Sequence, residues 1–255
     1  MTATAPAPVP PAAGRRPSTR VWVEQVMGMP ISVHVRGRTG QDVDIAVAQA
    51  FSHLQRVDAV FSTWRPDSDL ERVRRGELAE EAGHPWLAEV RALCEEAQER
   101  TEGLFSASVG GRRTPHDPTG LVKGWAVEGA ALLLSLPDGI SYCLNAGGDI
   151  LAGSCRGARP MAPWRVGIED PRHRTRIAGT VELTAGAVAT SGNAARGAHI
   201  RDPRTGERVE RDGSATVTGP SLLWADVWAT AAFVDPAAAT AAMGRADAAY
   251  RCLVL

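Results

Sequence analysis

Residues 122–153 read VKGWAVEGAALLLSLPDGISYCLNAGGDILAG, and this stretch decides the fold class. Val122 to Leu136 reads as a helix, which Pro137–Gly139 ends. Ser141–Leu144 and Ile150–Gly153 then read as strands, with the paired glycines of Asn145–Asp149 between them. Upstream of this point helices dominate. Asp42 to Phe61 carries apolar residues at helical spacing, Asp67 to Arg75 reads as a short helix capped by Ser68 or Asp67, and Pro85 to Glu102 as a helix stopped by Gly103. Two strands, Val21–Val26 and Ile31–Val35, precede them, joined through Met27–Pro30. Downstream, strands take over: Trp164–Ile168, Gly179–Leu183, Ala187–Thr190, His199–Arg201 and Ser214–Thr218. The helices Leu222–Val234 and Pro236–Met243 and a last strand, Tyr250–Leu255, close the chain. There is no regular βαβα alternation and no internal repeat, so one α+β domain over residues 21–255 is expected.

Composition bounds the function. The chain has 255 residues, 44% hydrophobic and 22% charged, with a formal net charge of -1. A polyanion binder would carry a basic excess, so nucleic acid is not an expected partner. No stretch approaches the run of about 18 apolar residues that a membrane span needs. The first twenty residues are rich in Pro and Ala and lack the apolar run of about 7–15 residues of a signal peptide, which predicts a disordered tail on a cytoplasmic protein. Cys94, Cys143, Cys155 and Cys252 form no C-x-x-C pair, which excludes zinc and redox-motif readings. Lys123 is the only lysine among 28 basic residues. In a composition that favours arginine, it marks either chance retention or a site where a compact ammonium works and a forked guanidinium does not.

Four segments break local rules. In His116–Trp125 a turn-forming Asp117-Pro118-Thr119-Gly120 leads into a helix with Lys123 on its first turn, where amide donors and an ammonium would hold an anion. A capped helix with an exposed lysine is the plain alternative. In Asn145–Asp149, Gly147 and Gly148 allow a ligand close to the backbone, or make a tight hairpin. His199, beside Arg196, Arg201 and Asp202 and following Ala189–Asn193, is either a general base or a solvent-facing side chain. Asp226 and Thr230 share one face of an otherwise apolar helix. A buried carboxylate there needs a partner, either a hard cation such as Mg²⁺ or a backbone amide or arginine.

Together the four segments resemble one family, the ApbE-type FAD:protein FMN transferases. The matching stretches are Met27-Gly28, Phe61–Ser68, Asp117–Trp125, Asn145–Asp149, Ala189–Gly192 with His199–Pro203 and Thr205-Gly206, and Ala225–Thr230. They stand in the family's order. The resemblance implies a single domain of mixed, mostly antiparallel sheets with packed helices. It also implies a Mg²⁺-dependent transferase that takes FAD as substrate and moves its FMN moiety onto a Thr or Ser hydroxyl of an acceptor flavoprotein, releasing AMP. Carried over by position, Gly120, Asp226 and Thr230 would hold the metal. Met27, Trp64, Leu104, Phe105, Ser106, Asp117, Lys123, Gly147, Gly148, His199 and Ile200 would line the FAD site. His199, Asp226 and Lys123 would carry the catalysis. The chain departs from the family at Met29, where threonine is usual, and at Ser106, where aspartate is usual. Rival readings are an FAD pyrophosphatase giving FMN and AMP, and a flavin-binding protein without turnover.

Overall fold

The computed structural model describes residues 18–108, 116–193, 197 and 199–255. The tail up to residue 17, residues 109–115 and Arg196 lie outside the described residues. The chain is α+β. Among the described residues, seven strands form one antiparallel sheet in the order β1-β2-β3-β4-β7-β8-β9: β1 Thr19–Val26, β2 Met29–Gly37, β3 Ile140–Ala146, β4 Asp149–Ser154, β7 Gly186–Gly192, β8 Ser214–Gly219 and β9 Arg251–Val254. A two-stranded ribbon, β5 Trp164–Asp170 with β6 His173–Leu183, stands apart from that ladder. The helices are α1 Gln41–Phe61, α2 Asp69–Arg74, α3 Trp86–Arg100, α4 Thr119–Leu134, α5 Leu222–Val234 and α6 Pro236–Ala246.

The central strands bury both faces, and their alternation says against what. Leu144, Leu151, Ala187, Ala189, Ala215 and Val217 join the main core with α1, α4 and α5. Their neighbours Cys143, Ile150, Ala152 and Val188 pack under the ribbon with Trp164 and Leu183. Helices, sheet and ribbon are therefore three layers around two apolar seams. α5 is apolar nearly all round because it is covered on every side, by β7, β8, α4 and α6. Gly124 permits this packing: a Cβ there would lie 2.7 Å from Leu223 Cα, so α4 and α5 meet backbone to backbone.

Three expectations need correction. β1 starts at Thr19, inside the stretch read as tail, because Thr19 and Arg20 pair with Arg36 and Val35 and Arg20 reaches Asp44 at 2.5 Å. Helix α4 starts at Thr119, not Val122. Asp117 Oδ1 accepts from the Thr119 N–H at 3.1 Å and the Pro118 carbonyl accepts from Leu121 and Val122, so Thr-Gly is wound into the first turn and Lys123 falls on the second. His199–Arg201 is not a strand: only Arg201 bridges, to Arg208, around the turn in which the Asp202 carbonyl accepts from Gly206 N–H. The Met27-Gly28 link is a two-residue hairpin with φ of 55° and 72°, the left-handed pair that suits strand twist.

Candidate active site

The gap at the end of the β3–β4 hairpin, where α4 and α5 begin to part, collects the polar residues. Lys123 on α4 donates to the Asp149 carboxylate at the start of β4, and its Nζ lies 3.4 Å from Asp226 Oδ2 on α5. Side-chain exposures of 17%, 2% and 5% for Lys123, Asp149 and Asp226 make this a buried ionic cluster. Asp149 also accepts from the Thr190 N–H at 3.0 Å, so one carboxylate ties β4, β7 and α4 together. One turn after Asp226, the Thr230 hydroxyl lies 3.1 Å from the Ser191 hydroxyl of β7. The anion expected near Lys123 is thus present in the protein itself, as two carboxylates.

Lys123, Asp226, Thr230, Thr190 and Ser191 face a cavity of about 770 Å³, within the range of ligand sites, and Asp149 lies behind them. Leu104, Phe105, Ser106, Asp117, Gly120, Lys123, Gly147, His199, Ile200, Asp226 and Thr230, named from the sequence, all line it. The first turn of α4 opens into it through Thr119 and Gly120, and Phe105 sits against Gly120, where a Cβ would be 3.3 Å from its ring. Three named residues are not among its walls. Gly148 lines a smaller neighbouring cavity, Trp64 is 92% exposed after α1, and Met27 is half-buried in its hairpin.

The site also includes residues that the sequence alone does not mark. Arg74 of α2 donates through Nε and Nη2 to the His116 carbonyl (3.0 and 2.7 Å) and lies 3.6 Å from Asp117, holding the entry to α4. Its spacing from Glu71 reads in sequence as an ordinary helix-surface pair, which hid it. Asp149 reads as a turn residue. The signal that could have found it is the lone lysine, which needed a carboxylate partner. Thr190 and Ser191 of β7 also line the cavity.

Electrostatics separates the two histidines. Burial, aided by the Arg91 guanidinium, lowers the pKa of His116, so it is neutral next to Asp117. His199 is exposed on the cavity wall, with Nδ1 2.8 Å from the Gly197 carbonyl. A carbonyl only accepts, so Nδ1 carries a proton, and in the neutral ring this leaves the lone pair on Nε2, the tautomer a general base needs. The donor set fits a hard cation. The Asp226 carboxylate and Thr230 hydroxyl share one helix face, and Gly120 opens to the same space. Among the described residues no group of three or more His, Cys, Asp or Glu is placed for a metal. Mg²⁺ ordinarily takes only one or two carboxylates and completes its shell with water and substrate phosphates.

Among known proteins, the ApbE family matches residues 27–113 and 111–254. The fold is similar to that of the ApbE protein of Thermotoga maritima, with a TM-score of 0.76 and 21% identity over 93% of this chain and 94% of that one. Flavin transferase ApbE from Vibrio cholerae gives 0.71 at 22% identity, covering 93% and 97%. Flavinyl transferase ApbE of Pseudomonas stutzeri, in its apo form, gives 0.71 at 22%, covering 94% and 96%. A search of curated proteins finds no match. The family match takes in both helices of the ionic cluster and the strands between them, and the chain belongs to the ApbE family.

Proposed function

We propose that the chain is an FAD:protein FMN transferase, a single catalytic domain that moves the FMN moiety of FAD to a Thr or Ser hydroxyl of an acceptor flavoprotein. The observation that carries this reading is the convergence of Lys123, Asp226, Thr230, His199 and the α4 N-terminus on one cavity. Phosphoryl transfer asks mainly for positioning and charge neutralisation, and these residues supply both.

Asp117 fixes the first turn of α4, whose amides face the pyrophosphate. Asp226 and Thr230, with the Gly120 carbonyl, would hold Mg²⁺, which when bound polarises a phosphoryl oxygen. Lys123 keeps Asp149 and Asp226 at fixed spacing. His199 Nε2 takes the proton of the acceptor hydroxyl as its oxygen bonds to the flavin-side phosphorus. The bridging P–O bond breaks and AMP leaves with the adenosine-side phosphate, so no electrons change hands.

Co-expression with candidate flavoproteins tests the reading by intact-mass analysis. A gain of the FMN moiety on a Thr or Ser, with AMP released in step and lost in Asp226→Asn, is the expected result. AMP formed at full rate with no protein modified would identify an FAD pyrophosphatase. Bound FAD that never turns over would identify a flavin-binding protein.

A further inference from the structure

The sheet has a gap beside the candidate site. Pairing of β4 with β7 ends at Ile150↔Val188, while β7 runs on against β8 as far as Gly192↔Ser214. Among the described residues, Thr190–Gly192 therefore has one edge in a ladder and no strand on the other, where Asp149 takes the Thr190 N–H. On the far side of this gap lies a second cavity of about 190 Å³, between the sheet and the ribbon. It shares Gly147, Thr190 and Gly192 with the large cavity, so the two meet through the sheet where β4 stops. Its remaining walls include Val166, Ile168 and Val188, with Glu169 and Arg174 paired at 3.4 Å. The ribbon's register shifts at Ile168–Asp170, a bulge that opens this side.

From this geometry we propose that the gap is the acceptor site: an extended segment of the acceptor lies along the open edge of β7 at Thr190–Gly192. The inference rests on the transferase reading. A strand added there alternates its side chains by the pleat. The hydroxyl-bearing residue faces Lys123, Asp226 and His199, and its two neighbours face the small cavity. At about 190 Å³ that cavity is too small for a second nucleotide and suits a small or branched apolar side chain. The occupant's flanks are acidic, because Arg174, exposed on the ribbon, lines the opening. Two substrates must meet at one phosphorus, and the small cavity joins the large one at Gly147, Thr190 and Gly192.

The probe is a short synthetic peptide with a central threonine between Ala and Val and acidic ends, offered with FAD and Mg²⁺. The wild type is expected to flavinylate it. Val166→Trp, which fills the small cavity, and Arg174→Glu, which reverses charge on the exposed ribbon, are each expected to raise the peptide KM about tenfold or more, with the FAD KM within about twofold of wild type. Circular dichroism confirms folding, and Arg174→Glu remains informative if the tryptophan variant unfolds. Unchanged peptide KM in both variants overturns the proposal. So does a wild type that releases AMP and modifies a flavoprotein but never the peptide. A wild type that neither releases AMP nor modifies any protein refutes the transferase reading itself.

Discussion

Replacing Lys123 tests the ionic cluster directly. Lys123→Ala leaves Asp149 and Asp226, both nearly fully buried, facing the space the ammonium held. Removing one partner of a buried ion pair costs about 3–5 kcal/mol. For a domain of this size each kcal/mol moves Tm by about 2–4 °C, so a fall of roughly 6–20 °C is expected. Lys123→Arg keeps the charge but puts a planar fork where a point charge sits between two carboxylates from different elements. The α4–α5 backbones are in contact at Gly124, so a larger head has to push the helices apart there, and overpacking costs about 1–3 kcal/mol. In turnover both variants should fail, since the spacing of Asp226 from the reacting phosphate is lost in each. Differential scanning calorimetry and AMP release from FAD read the two effects separately. An arginine variant with wild-type Tm and wild-type rate would refute the argument and make the lone lysine an accident of composition.

Other expectations follow from single contacts. Gly124→Ala should destabilise by about 1–3 kcal/mol in urea titration, although alanine is the better helix former by about 1 kcal/mol, because its Cβ meets the Leu223 backbone. Gly244→Ala in α6, with nothing within 4 Å, should instead stabilise by up to about 1 kcal/mol. His199→Ala should lower the transfer rate by about 10²–10⁴ and leave FAD affinity nearly unchanged, as stopped-flow binding and single-turnover rates will show. Stability should be flat between about pH 6.5 and 9 and fall on both sides. Burial lowers the pKa values of His34, His53 and His116 from 6.5, so below pH 6.5 the unfolded chain takes up protons that the fold refuses. Burial likewise pushes the Cys94 thiol up to about 12 and Cys143 to about 11 from 9.0, so above pH 9 only the unfolded chain ionises. Denaturant midpoints measured from pH 5 to 11 check the plateau.

Local chemistry made some elements legible and hid others. Helix α5 was readable to its ends, because Ser221 caps it at 3.3 Å from the Trp224 N–H and Asp235-Pro236 stops it. The helices α1 and α3 were readable from apolar spacing. What the residues could not announce was pairing between distant strands. Nothing local says that β7 inserts between β4 and β8, or that β5 and β6 leave the main ladder. The start of α4 was misplaced for a related reason. Pro-Thr-Gly looks like a turn until the Asp117 carboxylate is placed on Thr119 N–H.

The same contrast runs through the site. Asp226 stood out because a carboxylate in a helix with no polar face must be paired. Asp149 did not, because an Asp after two glycines has an ordinary role in a hairpin. Its burial to 2% follows only once the sheet brings Thr190 and Lys123 to it. Lys123 links the two cases. An ammonium approached by carboxylates from β4 and from α5 needs a compact charge that can donate in several directions, and it needs α4 close to α5. Gly124, the next residue, provides the second condition and the lysine the first. The pair Lys123-Gly124 is therefore one device written in two adjacent residues. A cation here is useful only at the distance that the glycine sets.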